Sequence, residues 1–172
     1  MDQLPVWLTL RGRGVLVVGG GLAATAKARL ALAAGAQVTM VAPALAAEAA
    51  ELATVGEIRH VQREFIAGDL DGHVVAYGAT GDDTRDQAVA DAALARGVLV
   101  NIVDKPALSD FSMPAIVDRS PVVVGISTGG AVPALAVAVR QRIEAALPVR
   151  LGRSEEHTSE LQSRLHLVCR LL

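Results

Sequence analysis

Short apolar runs alternate repeatedly with longer, alanine-rich stretches, and this alternation limits the fold that the chain can adopt. The runs are continuous and rich in β-branched residues, as in strands buried on both faces. Each stretch between them ends near a glycine, which commonly follows a helix. Strand, helix and strand at this spacing predict a parallel sheet with right-handed crossovers. The predicted strands are 13–18, 37–42, 57–61, 73–77 and 98–103, and the predicted helices are 22–34, 44–54 and 83–96.

After Asp104 the alternation stops. Residues 111–117 and 122–127 are apolar runs separated by Asp118-Arg119-Ser120-Pro121, which predicts a hairpin with a four-residue turn. A helix is expected at about 132–147. This segment is too small to hold a core alone, so it must pack on the first unit or on a second copy of itself. We therefore expect a Rossmann-type dinucleotide-binding domain at 1–110 and a hairpin and helix at 111–151.

The last twenty residues differ in composition from the rest. Residues 1–152 contain 31 alanines and 16 glycines, whereas 153–172 contain neither. The stretch 153–160 resembles translated adapter or vector sequence, or a frameshift, so we predict a non-native tail and leave it out of functional reasoning. The alternative is a native amphipathic helix carrying Leu161, Leu165 and Val168.

Composition and charge exclude several classes of protein. Net charge is −2, only 2% of residues are aromatic and there is no basic run, which argues against a nucleic-acid or membrane partner. The single cysteine, Cys169, excludes an intrachain disulfide and a thiolate metal cluster. The start lacks a signal-peptide pattern and the apolar runs are too short to span a bilayer. We expect a cytoplasmic protein.

A glycine-rich turn gives the first functional prediction. Gly19-Gly20-Gly21-Leu22-Ala23-Ala24 fits G-x-G-x-x-A between a predicted strand and a predicted helix, the context of a dinucleotide site. Gly19 would permit the tight turn, Gly21 would let the backbone approach a pyrophosphate, and Ala24 would allow close helix–strand packing. Helix-terminal N–H groups would bind the pyrophosphate.

The second strand bears on which cofactor binds there. Such sites often carry an acid about twenty residues after the glycines for the adenosine ribose. Residues 37–47 contain no acid, and no base lies between Arg29 and Arg59 to meet a 2′-phosphate. The ribose is therefore expected to bind backbone near Pro43 and Ala44, and NAD is favoured over NADP.

Dispersed motifs then identify a family. The sequence resembles the precorrin-2 dehydrogenase/sirohydrochlorin ferrochelatase family, the N-terminal module of siroheme synthase, over about residues 1–151. The resemblance rests on the glycine turn together with Lys27-Ala28-Arg29-Leu30, Asn101-Ile102-Val103-Asp104, Phe111-Ser112-Met113-Pro114-Ala115, Asp118-Arg119-Ser120-Pro121 and Ser127-Thr128-Gly129-Gly130.

The resemblance implies an NAD-dependent oxidation of precorrin-2 to sirohydrochlorin and leaves open Fe²⁺ insertion to give siroheme. Asp104 matches the family's catalytic aspartate, and it follows a predicted strand at the edge where such sheets bind ligands. A carboxylate there can accept the proton that leaves with the hydride. The alternative is a turn or capping role before Pro106. No protein metal ligand is expected, because the macrocycle nitrogens bind the iron.

Other residues follow from the same resemblance. Leu22 and Ala23 match cofactor contacts after the glycines, Pro43 and Ala44 match those after the second strand, and Thr80 falls close to the nicotinamide half. The segment after Asp104 is expected to form a homodimer. Two alternatives stay open: a non-catalytic NAD-binding regulatory domain, which gives Asp104 no role, and an NAD-binding fragment with impaired turnover.

Overall fold

The computed structural model describes residues 3–130 and 132–148. Two compact units are present: one spans Leu4–Ser112, and the described part of the other comprises Gln3 and the residues from Met113 onward. The predicted non-native tail, 153–172, lies outside the described residues. None of the described helices is both long enough and apolar enough to cross a membrane.

The first unit is a five-stranded sheet in which every neighbouring pair of strands is parallel. The elements are β1 (Gly14–Val18), α1 (Leu22–Ala33), β2 (Gln37–Val41), α2 (Ala47–Thr54), β3 (Ile58–Val61), β4 (His73–Gly78), α3 (Asp83–Arg96) and β5 (Leu99–Ile102), with 3₁₀ turns at Ala67–Leu70 and Pro106–Leu108. The strand order is β3-β2-β1-β4-β5, with β1 at the centre, β2 and β3 on one side of it and β4 and β5 on the other. This order confirms the predicted Rossmann-type α/β class.

The core of this unit is aliphatic. Val15, Leu16 and Val17 on the central strand are fully buried, which explains why the strand is continuously apolar rather than alternating. On α1, Ala24 and Ala28 are also fully buried. Because these side chains are small, the helix can approach the sheet closely, and the turn before it is held at the end of β1.

One helix begins later than predicted. The sequence predicts a helix from 44, but α2 begins at Ala47. Ala46 is extended (φ −61°, ψ 154°), and its N–H donates to the Gly20 carbonyl oxygen at 2.7 Å. The helix therefore begins only after Ala46, because the Ala46 N–H is hydrogen-bonded to the glycine turn.

The second unit contains an antiparallel hairpin of β6 (Ala115–Arg119) and β7 (Val122–Ile126), against which α4 (Pro133–Ala146) packs. The predicted four-residue turn is wrong. Arg119 pairs with Val122, so the turn is only Ser120–Pro121. The Asp118 carboxylate accepts hydrogen bonds from the Ser120 N–H at 2.9 Å and hydroxyl at 2.7 Å, which stabilises the shorter turn.

Candidate active site

The turn between β1 and α1 is built from glycines that two carbonyl groups crowd. Gly19 has φ 125°, and a β-carbon there would overlap the Ala79 carbonyl oxygen. A β-carbon on Gly20 would overlap the Ala44 carbonyl oxygen. Both positions therefore require glycine. The motif assigns no task to Gly20, and its role depends on a distant residue that no local pattern indicates.

Gly21 is different, because a β-carbon there would meet no described atom within 4 Å. The space above this peptide is open, as a close approach of backbone to a pyrophosphate requires. Leu22 and Ala23 follow in the exposed first turn of α1, where the leading N–H groups of a helix have no partner within the helix. Ala24 is buried against the sheet. The arrangement fits a dinucleotide.

Pro43 and Ala44 are exposed in the loop after β2. The Ala44 carbonyl faces Gly20, so this loop and the glycine turn form one surface. A ligand beside the turn could form hydrogen bonds only with the backbone of this loop, because no polar side chain occurs among Pro43, Ala44, Leu45 and Ala46.

Three loops at the carboxyl edge of the sheet are neighbours. The Ala79 N–H, directly after β4, donates to the Val18 carbonyl at 2.8 Å, and the Val103 N–H, after β5, donates to the Gly78 carbonyl at 2.9 Å. The glycine turn, the loop with Thr80 and the loop with Asp104 are thus consecutive along one edge. The structure brings the predicted site residues together at that edge.

Asp104 is exposed and has φ 59°, a left-handed conformation that is uncommon outside glycine. Burial lowers the pKa of Lys27 on α1, while the charge of Asp104 acts to raise it. The Lys27 ammonium lies 5.9 Å from the ring centroid of Tyr77, which packs edge-on against Phe111. Lys27 therefore contacts an aromatic pair, and its charge interacts with that of Asp104.

Thr80 contacts a residue that the sequence reasoning missed. Its hydroxyl and its backbone N–H donate to the Asp86 carboxylate at 2.7 Å and 3.1 Å, which leaves the carbonyl oxygen and the methyl group of Thr80 to contact a cofactor. Asp86 is 2% exposed and also accepts from the Lys105 ammonium at 2.7 Å. The sequence does indicate a buried contact at Asp86, because this residue lies on the apolar stripe of α3 with Val89 and Ala93. A charge in such a position needs a partner.

Charges in this network are stabilised by their contacts. Burial by itself would raise the pKa of Asp86, but hydrogen bonds from Lys105 and Thr80 hold that pKa below its usual range. Hydrogen bonds to Asp83 and Asp86 raise the pKa of Lys105. Within 3–130 and 132–148, no group of three or more His, Cys, Asp or Glu side chains could hold a metal ion.

Comparisons with known proteins bear on this site. A family model described as NAD(P)-binding matches residues 6–115. Siroheme synthase from Chromobacterium violaceum is 47% identical over 153 residues, covering 89% of this chain and 33% of that protein. Siroheme synthase 2 from Cronobacter sakazakii is 45% identical over 165 residues, covering 96% of this chain and 36% of that protein. The chain thus spans about a third of the length of these curated relatives.

A solved structure, SirC, precorrin-2 dehydrogenase, is also similar. It superposes with a TM-score of 0.73 at 32% identity, covering 86% of this chain and 72% of that one. These matches confirm the predicted family resemblance, the fold class and a nicotinamide dinucleotide as cofactor.

Proposed function

The chain belongs to the NAD(P)-binding family of precorrin-2 dehydrogenase and the siroheme synthases, and we propose that it oxidises precorrin-2 to sirohydrochlorin with NAD⁺. One observation carries the proposal: an open glycine turn and the Asp104 carboxylate lie at the same edge of one parallel sheet, in neighbouring loops. Ligands bind at this edge in open α/β sheets.

Backbone groups would hold the dinucleotide. The peptides of Gly19 and Gly21 and the first amides of α1, at Leu22, Ala23 and Ala24, would bind the pyrophosphate. Pro43 and Ala44 would contact the adenosine ribose and Thr80 the nicotinamide half. NAD⁺ is favoured over NADP⁺ because no cationic side chain occurs between Arg29 and Arg59. Bound there, NAD⁺ supplies the hydride acceptor.

Asp104 would accept the proton. Oxidation of the tetrapyrrole removes a hydride and a proton together, and a carboxylate within reach of the reacting carbon is a suitable general base. Its exposure lets the accepted proton pass to solvent. Lys27, whose charge interacts with that of Asp104, would offer positive charge to a carboxylate-rich tetrapyrrole.

We also propose that Fe²⁺ is a second substrate. Insertion of iron displaces two pyrrole protons, so Asp104 can serve this step as well, and the macrocycle nitrogens supply the ligands. Anaerobic incubation of the chain with sirohydrochlorin and Fe²⁺ should yield siroheme, and Asp104→Asn should slow it. Equal rates in the two proteins would contradict this part of the proposal.

Assembly as a homodimer through residues 111–151 is supported by apolar exposure in the second unit. Val122, Val123, Leu135 and Val137 are between 38% and 51% exposed, and an interface with a second copy would cover such apolar side chains. Sedimentation of the chain should give a dimer, and Leu135→Asp a monomer. A monomeric parent chain would contradict the proposal. We also propose that the protein is cytoplasmic, which agrees with the lack of cysteine in residues 1–152.

The test has two measurements. Calorimetric titration should give tighter binding of NAD⁺ than of NADP⁺, and addition of precorrin-2 and NAD⁺ should produce NADH and sirohydrochlorin in equal amounts. Binding of NAD⁺ without turnover would favour a regulatory domain or an impaired fragment. Failure to bind either dinucleotide would contradict the assignment of the glycine turn.

A further inference from the structure

An ion pair between the buried Asp86 and the partly exposed Lys105 joins the loop that carries Thr80 to the loop that carries Asp104. The Asp86 carboxylate accepts from the Thr80 N–H at 3.1 Å and hydroxyl at 2.7 Å, and from the Lys105 ammonium at 2.7 Å. Lys105 also contacts the exposed Asp83 carboxylate at 2.8 Å. Since Lys105 directly follows Asp104, one carboxylate fixes both loops.

The Asp86 carboxylate lies close to the end of β4. A β-carbon on Gly78 would overlap the Ile102 side chain and would lie 3.6 Å from Asp86 Oδ1, an ordinary contact distance. Glycine at this position therefore leaves room for Ile102, and Asp86 packs beside it. Asp86 is 2% exposed there.

The left-handed conformation of Asp104 is held by its neighbours. Such a backbone costs most L-residues roughly 1–2 kcal/mol and is more readily adopted by Asp and Asn. The residues on either side are fixed: the Val103 N–H is bonded to the Gly78 carbonyl at 2.9 Å and the Lys105 N–H to the Ile102 carbonyl at 3.2 Å. The Lys105 side chain adds an anchor that reaches a different helix.

We propose that Asp86 and Lys105 are positioning residues, whose ion pair holds Asp104 in its left-handed conformation and in register with Thr80. This inference rests on the proposed function for its effect on turnover. Its effect on the loop itself does not depend on the reaction. Asp86 and Lys105 act through Asp104 and Thr80, since both ammonium and buried carboxylate are occupied by protein partners.

Hydrogen exchange tests the loop directly. Lys105→Met removes the cation, and we expect the backbone amides of positions 103 and 105 to exchange about tenfold faster or more. The Thr25 amide, bonded to the Gly21 carbonyl at 3.0 Å, should be unchanged. Lys105→Arg and Asp83→Asn are matched controls, because the first keeps the charge and the second removes only the exposed partner. Unchanged exchange at 103 and 105 in Lys105→Met would overturn the inference.

Turnover gives the second readout. In Lys105→Met we expect kcat to fall about tenfold or more, because a small displacement of a reacting group is costly, while the dissociation constant of NAD⁺ stays within about twofold, a change too small to indicate a lost contact. Lys105→Arg should retain most of kcat. Equal losses of kcat and NAD⁺ affinity would indicate general disruption and would overturn the positioning role.

Asp86→Asn provides an independent variant that keeps an acceptor for Thr80 but loses the ion pair. Its effect and that of Lys105→Met should not add in the double variant, because both remove the same contact. Additive losses would overturn the inference. A parent chain that does not turn over precorrin-2 would refute the proposed function, and the exchange measurement would still decide whether the ion pair holds the loop.

Discussion

The glycine turn after β1 and the loop after β5 lie at one edge of the sheet but are built in opposite ways. The turn is shaped by missing side chains, because carbonyl groups of Ala79 and Ala44 occupy the positions that β-carbons on Gly19 and Gly20 would take. The Asp104 loop is shaped by side-chain hydrogen bonds. Lys105 donates to Asp86, and the Ser109 hydroxyl accepts from the Ile102 N–H and donates to the Lys105 carbonyl. Substitutions should therefore separate the binding of cofactor from the chemistry on the substrate.

Gly20→Ala should have the largest effect on the turn. The new β-carbon would overlap the Ala44 carbonyl oxygen, so the segment 43–46 must move and the Ala46–Gly20 hydrogen bond is lost. We expect the free energy of unfolding to fall by about 1–3 kcal/mol, together with loss of NAD⁺ binding. Urea unfolding measures the first and calorimetry the second. A variant as stable as the parent would show that this close approach is absent.

Gly21→Ala should affect binding and leave the fold intact. Gly21 has φ −81° and ψ −176°, which any residue adopts, and its β-carbon would enter open space. We expect the unfolding free energy to stay within about 0.5 kcal/mol of the parent. The β-carbon would occupy the approach to the pyrophosphate, so NAD⁺ affinity should fall about tenfold or more, a loss of at least about 1.4 kcal/mol. Unchanged affinity would place the pyrophosphate elsewhere.

Asp104→Gly and Asp104→Ala test the backbone conformation of the loop after β5. At φ 59°, glycine carries no steric penalty and alanine does. The glycine variant should therefore be more stable than the alanine variant by about 1 kcal/mol, although both lack the carboxylate. Equal urea midpoints would contradict the left-handed conformation of this residue.

Local patterns predicted most of the first unit. The strand–helix alternation and the G-x-G-x-x-A turn each lie within a few consecutive residues, so periodicity and glycine spacing were enough to predict them. Asp104 was placed at the carboxyl edge for the same reason, because a residue after a parallel strand has to emerge there.

Long-range contacts could not be predicted in the same way. The late start of α2 depends on the Ala46–Gly20 hydrogen bond, and the Asp86–Lys105 pair joins residues 19 positions apart. In both cases the deciding partner is distant in the sequence. The hairpin turn is a local exception, because hydrogen bonds from Ser120 to Asp118 permit a two-residue turn where the sequence predicts four residues.

The role of Asp104 as proton acceptor is tested most directly by comparing the parent chain with Asp104→Asn. This variant keeps the shape of the side chain and tolerates a left-handed backbone. NADH formation from precorrin-2 and NAD⁺ would be followed in both proteins, with the dissociation constant of NAD⁺ measured alongside. In Asp104→Asn we expect turnover to fall by about 100-fold or more, while the dissociation constant of NAD⁺ is unchanged. Equal turnover in the two proteins would contradict the role of Asp104 as the proton acceptor.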